Sequence, residues 1–204
     1  MARNNRSQKI YDAQIVAGSL LVPESRHVAR LLLMKADHEQ WRKAILQDNI
    51  LQKRSPATAK RQARLIRNRL ELMKPSLWSM VAEGNQEVAT QALLAAAIKH
   101  SRLLGDYMDN ILREQWLTFK RRLSSTDWNR FIELCVQVEP CILEWSESTL
   151  AKLRQVIFRI LAEARYLEST RSLKLLHVSV VPEVKGYLVK YSEDYVLGCM
   201  EVTE

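Results

Sequence analysis

Residues 87–104 read EVATQALLAAAIKHSRLL, and this stretch decides the fold. Drawn as a helix it is apolar on nearly every side, which is typical of a helix buried inside a protein. Asn85 precedes it as a cap for its first backbone amides, and Gly105-Asp106 follows it as a kink or a break. The sequence therefore predicts an all-α protein built around one central helix.

The segments before this helix carry the start and stop signals of further helices. Proline at a first helical position marks one start at Pro23. Asp37 and Gln40 have the spacing of a capping box for a second helix, which reaches about residue 50. Ser55-Pro56 opens a third helix, which reaches residue 73 before the next proline. The region before the central helix is therefore predicted to be helical.

The segments after the central helix are also mostly helical. One helix is predicted from about residue 125 to residue 139, and Ser146 caps a second one with a strong apolar stripe. Residues 173–180 alternate and are rich in β-branched side chains, which indicates a possible short β element. Pro182 then opens a final helical stretch.

The length of 204 residues suffices for one good core or two small ones. We expect two helical subdomains that meet at the central helix. Residues 1–83 form the N-terminal one, with a basic tail, a basic helix and a helix-turn-helix-like part, and residues 84–204 form the C-terminal one. The boundary follows from Gly84, which separates the two sets of helices.

The composition argues for a cytoplasmic protein outside the membrane. The longest wholly apolar run is the seven residues 92–98, well short of the roughly 18 to 20 that a spanning helix needs. The first nine residues are polar and basic and are not followed by the apolar core of a signal peptide. Cys135, Cys141 and Cys199 lack paired spacing, so we expect reduced thiols rather than disulfides or a zinc site.

The positive charge of the chain is concentrated in one segment. The formal net charge is +8, and residues 53–74 alone hold eight basic side chains against one acid, Glu71. A chain that collects its excess charge on one helix builds a local positive field, for which a polyanion is the obvious partner. The alternative is an ordinary Arg-rich helix face that is exposed to solvent and binds no partner.

The third helix has the pattern of a DNA-contacting helix. Five apolar residues fall on one stripe that should pack inward: Ala59, Ala63, Ile66, Leu70 and Met73. Cations and an amide lie on the adjoining arc, where guanidinium groups can reach phosphates or guanine edges. The predicted DNA-binding residues are Lys53, Arg54, Lys60, Arg61, Arg64, Arg67 and Asn68.

Two other places are predicted to make secondary DNA contacts. The N-terminal tail carries Arg3, Arg6 and Lys9 without an acid. The helix that Ser146 caps carries Lys152 and Arg159 on its polar face, although Glu163 close by weakens the case there.

No specific catalytic, metal or cofactor motif stands out in the sequence. The histidines are scattered at His27, His38, His100 and His177, without a ligand pair at helical spacing. Asp106 and Asp109 lie one turn apart and are the best candidates for a cation-dependent nuclease, but such pairs are common at helix starts. Neither GxxxxGK[ST] nor GxGxxG occurs, so no nucleotide or other small-molecule ligand is indicated.

Three long stretches resemble the BrxA family, the small accessory component of BREX (bacteriophage exclusion) systems. They are LLVPESRHVARLLL, then LQKRSPATAKRQARLIRNRLELM running on to TQALLAAAIKHSRLLGDYM, and WSESTLAKLRQVIFRILAEARYLES. The resemblance covers most of the chain. It implies an all-helical binder of double-stranded DNA that works in phage restriction with larger BREX partners and brings no catalytic residues.

The preferred hypothesis is a non-catalytic, sequence-tolerant binder of duplex DNA that serves a BREX system. A second hypothesis makes the chain an assembly adaptor, whose basic face docks other BREX proteins without binding DNA. Binding to RNA is a third, because a basic face directed at phosphates does not distinguish the two polymers. A nuclease built on Asp106 and Asp109 is the enzyme alternative.

Overall fold

The central helix is α5 (Gln86–His100), and every residue from Val88 to Ile98 is buried. The computed structural model describes residues 10–203 of the chain. Asn85 caps α5 through its Oδ1 atom, which accepts a hydrogen bond from Val88 N at 2.9 Å. The predictions of a mainly helical protein and of a buried central helix are therefore confirmed.

The other helices precede and follow α5 along the chain. Those before it are α1 (Val22–Leu33), α2 (His38–Arg42), α3 (Pro56–Glu71) and α4 (Pro75–Glu83). Those after it are α6 (Arg102–Asp106), α7 (Arg113–Leu117), α8 (Ser125–Val138), α9 (Glu147–Glu163), α10 (Pro182–Lys190) and α11 (Asp194–Met200). The π-helical turns Lys43–Gln47 and Tyr107–Leu112 follow α2 and α6, and 3₁₀ turns occupy Gln14–Ala17 and Pro140–Glu144.

Helices from both ends of the chain pack on α5. Helices α1, α3 and α4 contact it from the N-terminal side of the sequence, and α10 and α11 contact it from the C-terminal side. The predicted division at residue 83 stays a prediction. No helix within residues 10–203 combines the length and the apolar character that crossing a bilayer requires.

Local capping fixes the starts of α2 and α3 as predicted. Asp37 and Gln40 form a reciprocal capping box, with Gln40 N donating to Asp37 Oδ1 at 2.8 Å. Ser55 Oγ accepts a hydrogen bond from Thr58 N at 3.1 Å, and Pro56 takes the first helical position of α3. The direction in which α3 leaves its loop is therefore set by its own sequence.

A kink or a break was predicted at Gly105-Asp106, where α6 passes into the π-helical turn Tyr107–Leu112 without a break. The helix is interrupted at Ser101, which is extended (φ −129°, ψ 99°), whereas Gly105 lies inside α6. A Cβ atom at position 105 would lie 2.8 Å from Cζ of Tyr195 and closer still to its hydroxyl. Gly105 therefore lets α11 approach α6 and does not end a helix.

The possible β element near residues 173–180 is reduced to two paired residues. Lys174 forms an isolated antiparallel bridge with Arg122, and Leu175 forms one with Leu167. Each bridge is a single pair that does not continue into a ladder along either partner. Residues 10–203 accordingly contain bridges but no strand.

Candidate nucleic-acid interface

The apolar stripe of α3 packs inward, as predicted from its spacing. Ala59, Ala63, Ile66, Leu70 and Met73 are all buried. Helix α3 contacts α1, α5 and the π-helical turn after α2, so its inner side is fully used for packing. Its other side is left to solvent.

Most of the predicted contact residues lie on that outer side. The exposed ones are Arg54, Lys60, Arg61, Arg64, Arg67 and Asn68. Lys53 differs, because its side chain is mostly buried and forms an ion pair with Glu24 of α1. Its charge is compensated within the protein, so Lys53 contributes least of the six predicted cations to an external positive field.

A groove of about 330 Å³ runs between α2 and α3. Lys60, Arg64 and Arg67 of α3 line it together with His38 and Arg42 of α2. Apolar atoms complete the lining, from Trp41, Ile45, Leu46 and Ala63. The groove thus has cations on both helices and an aromatic ring between them.

Arg67 is held in a defined place at this groove. Its guanidinium carbon lies 4.8 Å from the centre of the Trp41 ring. Its Nε atom donates a hydrogen bond to Glu71 Oε1 at 2.7 Å. Cation–π stacking leaves the edge of a guanidinium available as a hydrogen-bond donor.

Arg42 is a groove residue that was not among the predicted contacts. It is exposed on α2 and faces the groove that the α3 cations line. The net charge of residues 53–74 could not reveal it, because Arg42 lies before that run. Its place at the groove depends on how α2 approaches α3, so no signal in the local sequence could have identified Arg42.

Arg69 belongs to the basic run in sequence but not to the surface. Its side chain is buried and donates to Ser19 O at 2.6 Å and to Gly18 O at 3.1 Å. Burial lowers the pKa of Arg69 to about 10, against a smaller opposing effect of Glu163. Arg69 therefore anchors the segment before α1 and adds little to the external field.

The predicted secondary contacts on α9 lie at a second cleft. Lys152 and Arg159 line a depression of about 810 Å³ together with Arg154 and Thr170. Lys152 Nζ donates to Gln155 Oε1 at 3.2 Å, and Arg159 is paired with Glu163 at 3.0 Å. The other predicted secondary contacts, Arg3, Arg6 and Lys9, lie outside the described residues.

Asp106 and Asp109 are each engaged by neighbouring side chains. Asp106 accepts hydrogen bonds from the hydroxyls of Tyr11 and Tyr195, both at 2.8 Å, and pairs with Arg102 at 2.9 Å. Asp109 pairs with Arg113 at 2.9 Å. Within residues 10–203, no group of three or more His, Cys, Asp or Glu side chains is placed to hold a metal ion.

The sequence model of the BrxA family matches residues 9–192. The chain belongs to the BrxA family. BREX protein BrxA from Paramagnetospirillum magneticum is 46% identical over 193 residues, which cover 95% of this chain and 97% of that protein. BREX protein BrxA from Escherichia coli O9:H4 is 32% identical over 196 residues, covering 96% and 92%. The family resemblance predicted from the sequence is thereby confirmed.

A solved structure supports the fold of this BrxA-family chain. The crystal structure of an uncharacterized protein from Magnetospirillum magneticum superposes with a TM-score of 0.88 at 44% sequence identity. The match covers 95% of this chain and 100% of the other. The helical arrangement around the α2–α3 groove is therefore part of a fold that a relative shares.

Proposed function

We propose that this protein is a non-catalytic accessory component of a BREX phage-defence system that binds double-stranded DNA through the α2–α3 groove. Membership of the BrxA family implies a role in BREX phage defence. The observation that carries DNA binding is the row of exposed cations Lys60, Arg64 and Arg67, which faces Arg42 across the groove. Phosphate oxygens are its proposed ligands.

The spacing of these cations suits a phosphate backbone. Lys60, Arg64 and Arg67 succeed one another at intervals of four and three residues, so they stand about one helical turn, or roughly 5.4 Å, apart on one side of α3. Arginine guanidinium groups can bind phosphate through two parallel hydrogen bonds. A helix edge with this repeat can follow consecutive phosphates of one strand.

The connection between the two helices favours backbone binding over base readout. The π-helical turn after α2 ends at Gln47 and α3 begins at Pro56, so residues 48–55 link them. The turn of a helix-turn-helix is typically three to four residues long. We therefore propose sequence-tolerant binding, with the α2–α3 pair related to a helix-turn-helix in outline only.

The test is a salt series of binding to a labelled duplex of random sequence. The wild type is compared with a variant that carries Lys60→Ala, Arg64→Ala and Arg67→Ala. Each phosphate contact contributes about 0.9 to the slope of log affinity against log salt, so the slope should fall by about 2 to 3. A charge-matched variant with Lys152→Ala, Arg154→Ala and Arg159→Ala should lose less affinity and less slope.

Three outcomes would contradict the proposal. An equal or larger loss in the α9 variant would move the main site to that helix. Absence of duplex binding by the wild type would favour an adaptor that docks other BREX proteins, especially where co-purification survives nuclease and high salt. If duplex RNA competed as well as duplex DNA, the proposed ligand would be double-stranded nucleic acid in general and not DNA.

A further inference from the structure

The turn after α7 exposes two large apolar side chains that the core does not use. Leu117 is 72% exposed and Phe119 is 90% exposed. They belong to the segment LTFKRR at residues 117–122, in which three cations directly follow the aromatic residue. Because Phe119 buries almost nothing, folding gives no reason for an aromatic side chain at this position.

The backbone of this turn does not favour phenylalanine either. Phe119 has a φ of 56°, in the left-handed region that residues with a Cβ atom disfavour. Phe119 N donates to Trp116 O at 3.0 Å and Lys120 N donates to Gln115 O at 2.9 Å. This is the Schellman pattern that ends many helices, and its left-handed position usually holds glycine. Lys35, Arg165 and Ser192 hold the same position at other helix ends, and of these four residues Phe119 is the one with a large apolar side chain.

Within residues 10–203 the cations beside Phe119 form no ion pair, although Lys120 interacts electrostatically with Glu114. Lys120, Arg121 and Arg122 are exposed, and no ion pair of residues 10–203 includes any of them. Glu114, the acid nearest in sequence, is paired with Arg130. The antiparallel bridge sets Lys174 directly opposite Arg122. Lys174 pairs with Glu168 at 3.8 Å, which offsets part of the repulsion between the two like charges. Arg122 is in no ion pair within residues 10–203, so a bound polyanion would relieve the repulsion that remains.

We propose that this turn is a second contact to double-stranded DNA, in which Lys120, Arg122 and Lys174 hold phosphates and Phe119 inserts between base pairs as a wedge. The inference rests on the proposed function, because it takes the polyanion to be DNA. Apolar wedges beside cations are the means by which minor-groove proteins unstack a base step and kink the duplex. If the partner were a protein, it would need a pocket for the Phe119 ring and several acids around it for the adjacent cations. DNA supplies the negative charges at regular intervals through its phosphates.

The position of this turn also connects it with the cleft on α9. Lys174 follows Thr170 by four residues on the same loop, and Thr170 lines the cleft together with Lys152 and Arg159. A duplex that ran from the turn along this loop would reach the α9 cations. The inference thus gives the predicted secondary contacts on α9 a place on the same surface.

The experiment measures affinity and bending of a short duplex that carries a donor and an acceptor dye at its ends. Phe119→Gly removes the ring and suits the left-handed backbone, so the thermal midpoint should hold or rise. We expect this variant to lose affinity at least about fivefold, the lower end of what an aromatic–base contact contributes. We also expect the bend that the wild type induces to disappear. Phe119→Asn, which tolerates the same backbone, should behave alike.

The control is Leu143→Ala, which removes another exposed apolar side chain, 74% exposed, on the Pro140–Glu144 turn. It should leave both affinity and bending unchanged. Retention of affinity and bending by Phe119→Gly, or an unbent duplex in the wild-type complex, would overturn the wedge while leaving groove binding intact. A wild type that binds no duplex at all would overturn the proposed function together with the wedge.

Discussion

The guanidinium carbon of Arg67 lies 4.8 Å from the centre of the Trp41 ring, which joins the edge of α3 to α2. A contact of this kind at a partly exposed site contributes about 0.5 to 1 kcal/mol. The same side chain donates to Glu71 one turn further along α3. Glu71 therefore has two opposing effects, because it orients Arg67 and also cancels part of the positive field that the groove presents.

Replacing Glu71 by Gln separates these two effects. We expect Glu71→Gln to raise duplex affinity by about two- to fivefold at low salt, because it removes a negative charge near the phosphates while an amide oxygen can still accept from Arg67. The gain should shrink at physiological salt through screening. Fluorescence anisotropy with a labelled duplex measures both, and Glu133→Gln on α8 is the control. A fall in affinity would mean that orientation of Arg67 outweighs the charge.

Arg69 and Arg61 are two cations of the same helix with opposite predicted consequences. Arg69→Ala leaves the carbonyl groups of Gly18 and Ser19 without their donor and opens a cavity, so it should lower the free energy of unfolding by about 2 to 4 kcal/mol. Arg61→Ala, at an exposed position, should change it by no more than about 0.5 kcal/mol. Urea denaturation compares them. Equal effects would contradict the anchoring role of Arg69.

Helical spacing was sufficient to predict the inner face of α3, but not the partners of its cations. Arg69 lies three residues after Ile66 and four before Met73, so its burial could have been read from the same stripe. The pairing of Lys53 with Glu24 could not, because 29 residues separate them and only the packing of α1 beside the loop brings them together. The groove at Trp41 likewise depends on how α2 approaches α3, which no local pattern specifies.

The stability of the protein should fall in mild acid because of His100. Burial is the main cause that lowers the pKa of His100, and the charge of Arg69 lowers it further, against a smaller opposing effect of Asp12. Its Nδ1 atom is buried and has no hydrogen-bond partner among residues 10–203. Because the folded-state pKa lies below the ordinary value of about 6.5, the unfolded chain binds the proton more readily. The contribution of neutral His100 to the free energy of unfolding is therefore fully present above about pH 6.5 and is lost as the pH falls below it.

The measurement is urea denaturation at pH 8 and at pH 5.5 for the wild type and for His100→Gln. The wild type should lose more stability between the two conditions than the variant, by up to about 1.4 kcal/mol for each pH unit over which only the unfolded state holds the proton. His38→Gln, at an exposed position on α2, is the matched control and should keep the wild-type response. Parallel losses in wild type and His100→Gln would assign the acid sensitivity to other groups.

The substitutions Gly105→Ala and Gly186→Ala should change the stability of the protein in opposite directions. A methyl group at 105 collides with the Tyr195 ring, which is tied to Asp106 by a hydrogen bond of 2.8 Å and cannot move aside without losing it. Overpacking costs about 1 to 3 kcal/mol, and a clash this close with a ring that is held in place should outweigh the gain of about 1 kcal/mol in helix propensity. Gly105→Ala should therefore destabilise the protein.

Gly186 lies inside α10, and an added Cβ would meet no heavy atom of residues 10–203 within 4 Å beyond its chain neighbours and its own helix backbone. Gly186→Ala should therefore stabilise the protein by about 0.5 to 1 kcal/mol. Thermal unfolding of the two variants side by side gives both signs in one measurement. If Gly105→Ala were as stabilising as Gly186→Ala, the close approach of Tyr195 could not explain why a glycine stands inside α6. The opposite signs would instead establish that this contact, and not a helix end, requires Gly105.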